Sequence, residues 1–207
     1  MARRADHTRD ELSELIIDAS TRIISEEGLS SLTVRKIASQ VGYSPGSVYN
    51  VFSNLDDLIA HVNTRTMRAL ISKLSKVRTT GDVLTDVKAI LHVYLDFQDE
   101  NSSLWSANTE HSIRQDFEQP ECYKEALHTA IEIVAAPIFP ALDADSTHDK
   151  FFSVRVLWAA LAGISAVPKT SKYLENHGGN VRSMAENLVD NYIHGLMRGL
   201  PQSSRNE

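Results

Sequence analysis

Residues 32–52, LTVRKIASQVGYSPGSVYNVF, gather hydroxyl, small and cationic side chains at spacings suited to holding a polyanion. Arg35 brings a planar guanidinium, the group that meets two acceptors at once, as on the edge of a guanine. Thr33 and Lys36 suit phosphate oxygens. Around Pro45, the hydroxyls of Ser44 and Ser47 and the absent side chain of Gly46 let a backbone approach a ligand closely, and free N–H groups at a helix start favour a phosphate. Tyr49 and Asn50 add reach, with Asn50 suited to a base edge or to a backbone oxygen. The chemistry on offer is recognition rather than bond breaking.

Other chemistries find little support. Cys122 is the single cysteine, so an internal disulfide is excluded and no cysteine pair suggests zinc. No glycine loop of phosphate-cradling spacing occurs, and Glu110-His111 is too little for a metal site. Serine and histidine are plentiful, but their arrangement is a matter of geometry. The expectation is a non-enzyme with no catalytic residue, no metal ligand and no cofactor.

These side chains need a frame, and the sequence predicts an all-α one. Between Arg9 and Glu27, Leu12, Leu15, Ile16, Ala19, Ile23 and Ile24 recur at helical spacing, and Gly28 stands where a helix stops. Thr33 caps a second helix with Val34, Ile37, Ala38 and Val41 as its stripe, ending at Gly42. Ser44 caps a third, with Pro45 in its first turn, where the missing N–H costs nothing. Val48 and Phe52 anchor it. Ser53 starts a long fourth helix to about Val77. Helix, glycine turn and second short helix make a helix-turn-helix, whose second helix enters a DNA major groove. The same spacing also occurs in plain packing units, and pattern alone leaves both open.

Charge is unevenly spread. The net charge of the 207 residues is −6, yet residues 1–78 hold 11 Lys+Arg against 9 Asp+Glu, and residues 79–207 hold 10 against 18. A weakly positive head on an acidic body suits orientation on a polyanion, although Arg65, Arg68, Lys73, Lys76 and Arg78 also read as one solvated helix face. No apolar run reaches the ~18 residues of a membrane span, and no secretory leader is recognisable. A cytoplasmic protein without membrane contact is expected.

The stretch GLSSLTVRKIASQVGYSPGSVYNVFSNLDDL, residues 28–58, with its G-x-S-x-G-x-x-Y-x-x-F core, resembles the N-terminal signature of the TetR family of bacterial transcriptional regulators. The resemblance implies DNA contacts at Thr33, Arg35, Ser44, Pro45, Gly46, Ser47 and Tyr49. Two positions depart from it: Val51 stands where a His is common and Leu55 where a Lys is common, so two charge-capable phosphate contacts are missing. Lys36, Tyr49 and the helix termini are then expected to matter more, whereas Arg3 and Arg4 read first as a disordered terminal arm and only second as a DNA-binding one. A helical interaction module that has lost DNA binding is the alternative reading.

The family resemblance also implies a domain of residues 1–53 that binds a double-stranded operator. Residues 54–207 form a larger helical unit for a small-molecule inducer and a homodimer. Sequence supports dimerisation through the last two long helices: Ala159, Ala160, Ala162, Gly163 and Ala166 allow close approach, and Met184, Leu188, Tyr192, Ile193 and Met197 give an apolar surface. The candidate inducer site is Trp105, Asn108, Thr109 and Ser112 on one short helix, closed by Phe97, Phe117 and Trp158, although each of these residues taken singly also suits an ordinary core. The expected protein is a repressor released by its ligand. His92 and His128 are expected to be solvated.

Overall fold

The structure, a computed structural model, describes residues 7–112, 118–141, 150–165 and 180–198. Within them the chain is all-α, with no strand: α1 (Arg9–Glu27), α2 (Val34–Val41), α3 (Pro45–Tyr49), α4 (Leu55–Leu74), α5 (Val83–Glu100), α6 (Ser102–Ser112), α7 (Glu121–Ala135), α8 (Lys150–Ser165) and α9 (Val181–Arg198). None of these helices is long and apolar enough to cross a membrane. Arg3, Arg4, Phe117, Ala166 and the side chain of Ser112 lie outside the described residues.

Packing divides the chain into two units, residues 1–70 with 97–127, and residues 71–96 with 128–207. This division does not run along the boundary after residue 53. The first unit is closed by later helices: α1 packs on α2 and also on α6. Its core holds Ile16, Ile23, Ile24, Ile37, Val48, Phe52, Leu58 and Val62, with Ala107 of α6 buried among them and Leu104 against them. Each such aliphatic side chain contributes about 1.5–3 kcal/mol when fully withdrawn from water.

The starts of α1 and α4 are chemically marked. Thr8 and Glu11 form a reciprocal capping box at α1, the Glu11 carboxylate accepting from Thr8 N–H at 2.7 Å and the Thr8 hydroxyl from Glu11 N–H at 3.2 Å. Those bonds, that from the Thr8 backbone first, hold the Glu11 carboxyl below its usual range. At α4 the cap is Asn54 rather than Ser53. The Asn54 side chain accepts from Asp57 N–H at 2.8 Å, while the Asp57 carboxylate accepts from Ser53 N–H and Oγ at 2.9 and 3.0 Å. Asp57 of the DDL segment thus serves the start of α4.

Two expectations about faces fail. Leu15 is 37% exposed, because the buried stripe of α1 runs through Ile16, Ile17, Ala19 and Ser20 instead. Ser20 is tolerated there because its hydroxyl donates to Ile16 C=O at 2.8 Å. Arg65 is not simply solvated: its guanidinium reaches both Glu14 and Asp18 of α1, joining α4 to α1.

In the second unit, α5 and α9 are joined by two ion pairs and a histidine–carboxylate contact at matching four-residue intervals. Lys88 meets Asp190, His92 meets Glu186 at 2.9 Å, and Asp96 meets Arg182 at 2.6 Å. The ascending series on α5 meets a descending one on α9, as antiparallel helices require. His92 is therefore engaged rather than solvated. His128 is exposed and stands 3.3 Å from Glu132. The start of α5 is fixed by Asp86, whose buried carboxylate accepts from Thr80 N–H and Oγ at 2.7 and 2.8 Å and from Gly81 N–H at 3.0 Å.

Candidate functional site

The head of the first unit is built by two caps and a glycine turn. Thr33 has extended backbone, and its hydroxyl accepts from Lys36 N–H at 3.3 Å, which leaves the hydroxyl hydrogen free to point outward. α2 ends at Gly42, whose φ of 75° and ψ of 27° are left-handed and favour glycine. Ser44 then caps α3, accepting from Ser47 N–H at 3.2 Å, with its Oγ 3.0 Å from that of Ser47. Val48 is buried and holds α3 down, while Tyr49 on the other side is 56% exposed. Ser44, Pro45, Gly46 and Asn50 are exposed as well.

The cations differ from one another. Arg35 is exposed and has no ion-pair partner among the described residues. Lys36 is half-buried, and its ammonium is paired with the Glu27 carboxylate at the end of α1. Val51 and Leu55 are partly buried against the core, so their apolar character serves packing. Ahead of α1, His7 Nδ1 lies 2.8 Å from the Tyr43 hydroxyl, tying the start of the helix to the turn between α2 and α3. Nothing in the local sequence announced the contacts of Glu27 and His7, because their partners lie in other elements.

The expected inducer residues fall in both units. In the first, Phe97 is buried and meets Trp105 edge-on, ring centroids 6.1 Å apart. Asn108 is buried and accepts from the Tyr123 hydroxyl at 3.0 Å; Thr109 donates to Trp105 C=O at 3.0 Å. Both polar groups are thus already engaged by protein. Burial pushes the Tyr123 hydroxyl pKa up. Trp158 belongs to the second unit, where its ring lies 5.6 Å from that of Tyr94. These two rings, with Leu74, Val87, Leu91 and Leu157, line an apolar cavity of about 20 Å³. Burial drives the Tyr94 hydroxyl pKa to about 12, so it stays a neutral phenol.

His111 escaped sequence reading as a core residue. It is fully buried, with Nδ1 3.4 Å from the Asn63 amide and Nε2 3.5 Å from the Asp56 carboxylate. Its place on the inner side of α6, four residues after buried Ala107, was the available signal.

Residues 16–62 match the model of bacterial regulatory proteins of the tetR family. Over 157 residues the chain is 25% identical to an uncharacterised HTH-type transcriptional regulator of Mycobacterium tuberculosis, covering 76% of this chain and 70% of that protein. Over 81 residues it is 32% identical to the HTH-type nicotine-responsive transcriptional repressor HdnoR of Paenarthrobacter nicotinovorans, 39% of this chain and 40% of that one. The fold is similar to that of the transcriptional regulator FadR from Bacillus subtilis in complex with stearoyl-CoA, with a TM-score of 0.64 and 16% identity over 88% of this chain and 98% of that one. The capped helix-turn-helix lies inside residues 16–62, the segment that matches the tetR-family model, and the chain shares its all-α fold with solved transcriptional regulators.

Proposed function

We propose that this protein is a homodimeric repressor that binds a two-fold symmetric DNA operator and is released from it by a small-molecule inducer. Residues 1–53 supply the reading head and residues 54–207 the inducer site and dimer face. The observation that carries the reading is the exposed start of α3. Ser44, Pro45 and Gly46 are exposed there, and Tyr49 projects outward while Val48 is held in the core. On this reading Arg35 reads a guanine, Asn50 a base edge or the backbone, and Thr33, Lys36, Ser44, Ser47 and Tyr49 hold phosphates, with Pro45 and Gly46 in van der Waals reach.

Dimerisation through α8 and α9 is supported by exposed Phe152, Val156 and Met197 beside exposed Ala159 and Gly163. For the inducer, the cavity of the second unit is the better-supported site than the α6 cluster, whose polar groups are already engaged. The residues named above as lining it carry no charge, so the part of the inducer that enters is uncharged; burying an unpaired ion there is too costly. The space holds about one water, well below the ~300 Å³ of a small-ligand site. Inducer entry must therefore part the lining side chains, among them Leu74 at the end of α4. Movement of α4 would favour a head spacing that no longer fits major grooves about 34 Å apart.

The test is selection of duplexes from a random DNA pool by the full chain, with retesting at two salt concentrations. An enriched inverted repeat bound in a salt-dependent way is expected, with Arg35→Ala relaxing base preference by about 1–3 kcal/mol at one position. Absence of any enrichment, with negligible binding at low salt, would return the protein to the class of interaction modules without DNA.

A further inference from the structure

The Lys36–Glu27 pair has a consequence for DNA affinity. Glu27 is the last residue of α1, and the chain turns at Gly28 with φ 82° before re-entering α2 through the Thr33 cap. That path sets a carboxylate against the first turn of α2, where a lysine is otherwise poorly placed beside the positive end of the helix dipole. Lys36 and Glu27 side chains are 33% and 45% exposed, so the pair is a surface one and contributes little to stability. A phosphate approaching this side chain shares the ammonium with Glu27 or competes with it.

We infer that Glu27 is an affinity-setting residue, competing with the DNA backbone for the Lys36 ammonium and so weakening one phosphate contact of the complex. The inference rests on the proposed reading that Thr33 to Asn50 face DNA. In the wild-type protein Lys36 divides its time between carboxylate and phosphate, whereas Arg35, beside it and without an ion-pair partner among the described residues, has no such competitor. Glu27→Gln keeps the size and the hydrogen-bonding oxygen of the side chain while removing the charge, so the fold should be undisturbed.

The experiment is a double-mutant cycle on the full chain, with wild type, E27Q, K36A and E27Q/K36A titrated onto an enriched duplex and a scrambled one over a range of salt. E27Q should bind about three- to ten-fold more tightly on both duplexes, and its log K against log salt slope should steepen by up to about 0.9, the release expected for one fully restored phosphate contact. In the K36A background the Glu27 substitution should change neither affinity nor slope. Equal strengthening with or without Lys36 would reduce Glu27 to a general repulsion of DNA and overturn the inference, as would an unchanged E27Q. If the wild type binds neither duplex, the DNA-binding reading itself fails, an outcome distinct from both.

Discussion

At the residue scale, Gly46 separates what the fold needs from what the ligand needs. A Cβ built at this position meets only the Ser44 Oγ at 3.6 Å, an ordinary contact, and the residue is not left-handed. Nothing inside the protein demands glycine there. Gly46→Ala should therefore leave the melting temperature unchanged or slightly higher, since alanine is the better helix former. Its affinity for DNA should fall about ten-fold, the equivalent of about 1.4 kcal/mol at the closest approach of backbone to phosphate. Thermal melting and DNA titration of one variant check both halves, and unaltered DNA binding would move the reading surface away from α3. Gly42 is the opposite case: its left-handed backbone makes alanine costly to the fold by about 1 kcal/mol whether or not DNA is present.

At the scale of elements, legibility followed sequence distance. The caps at Thr33 and Ser44 and the turn at Gly42 could be read directly, because cap and first turn lie within three or four residues. The α5–α9 ladder could not, since its rungs join residues 86 to 102 positions apart. A trace of it exists: Lys88, His92 and Asp96 have a mirror in Asp190, Glu186 and Arg182 at the same interval and with complementary sign. The α6 cluster shows a second limit. Asn108 and Thr109 were read as offering polar groups to a ligand, but the buried Tyr123 hydroxyl and the Trp105 carbonyl already engage them.

The start of α5 yields a pH prediction. Hydrogen bonds from the Thr80 backbone first, then from the Thr80 side chain and Gly81, hold the Asp86 carboxyl below its ordinary value, against the opposing effect of burial. A lowered folded pKa gives stability that is present above the unfolded value of about 3.9 and lost as pH falls through the folded one. Asp86→Asn should therefore lower the melting temperature at pH 7. The gap from wild type should close below about pH 4, as Asp86 itself takes up a proton. A gap constant across that range would exclude the charged form as the source.

For the molecule as a whole, the all-α class and the helix-turn-helix were visible in sequence, while the packing partners of that unit were not. Hydrophobic spacing reports which side of a helix is buried and is silent about which partner buries it. Here α6 supplies Ala107 and Leu104 to a core otherwise made by α1 to α4, and α4, α5 and α7 each give residues to both packing units. A fragment of residues 1–53 should accordingly lack a cooperative thermal transition by circular dichroism, while the full chain melts cooperatively. Sharp melting of the fragment would make the head autonomous. The consequence reaches protein engineering: this head is not a cartridge. A chimera that exchanges residues 1–53 to redirect the regulator to another promoter would confront a foreign α6 in its own core. A graft should therefore carry residues 97–127 along with the head, or re-optimise the seam at Leu104 and Ala107.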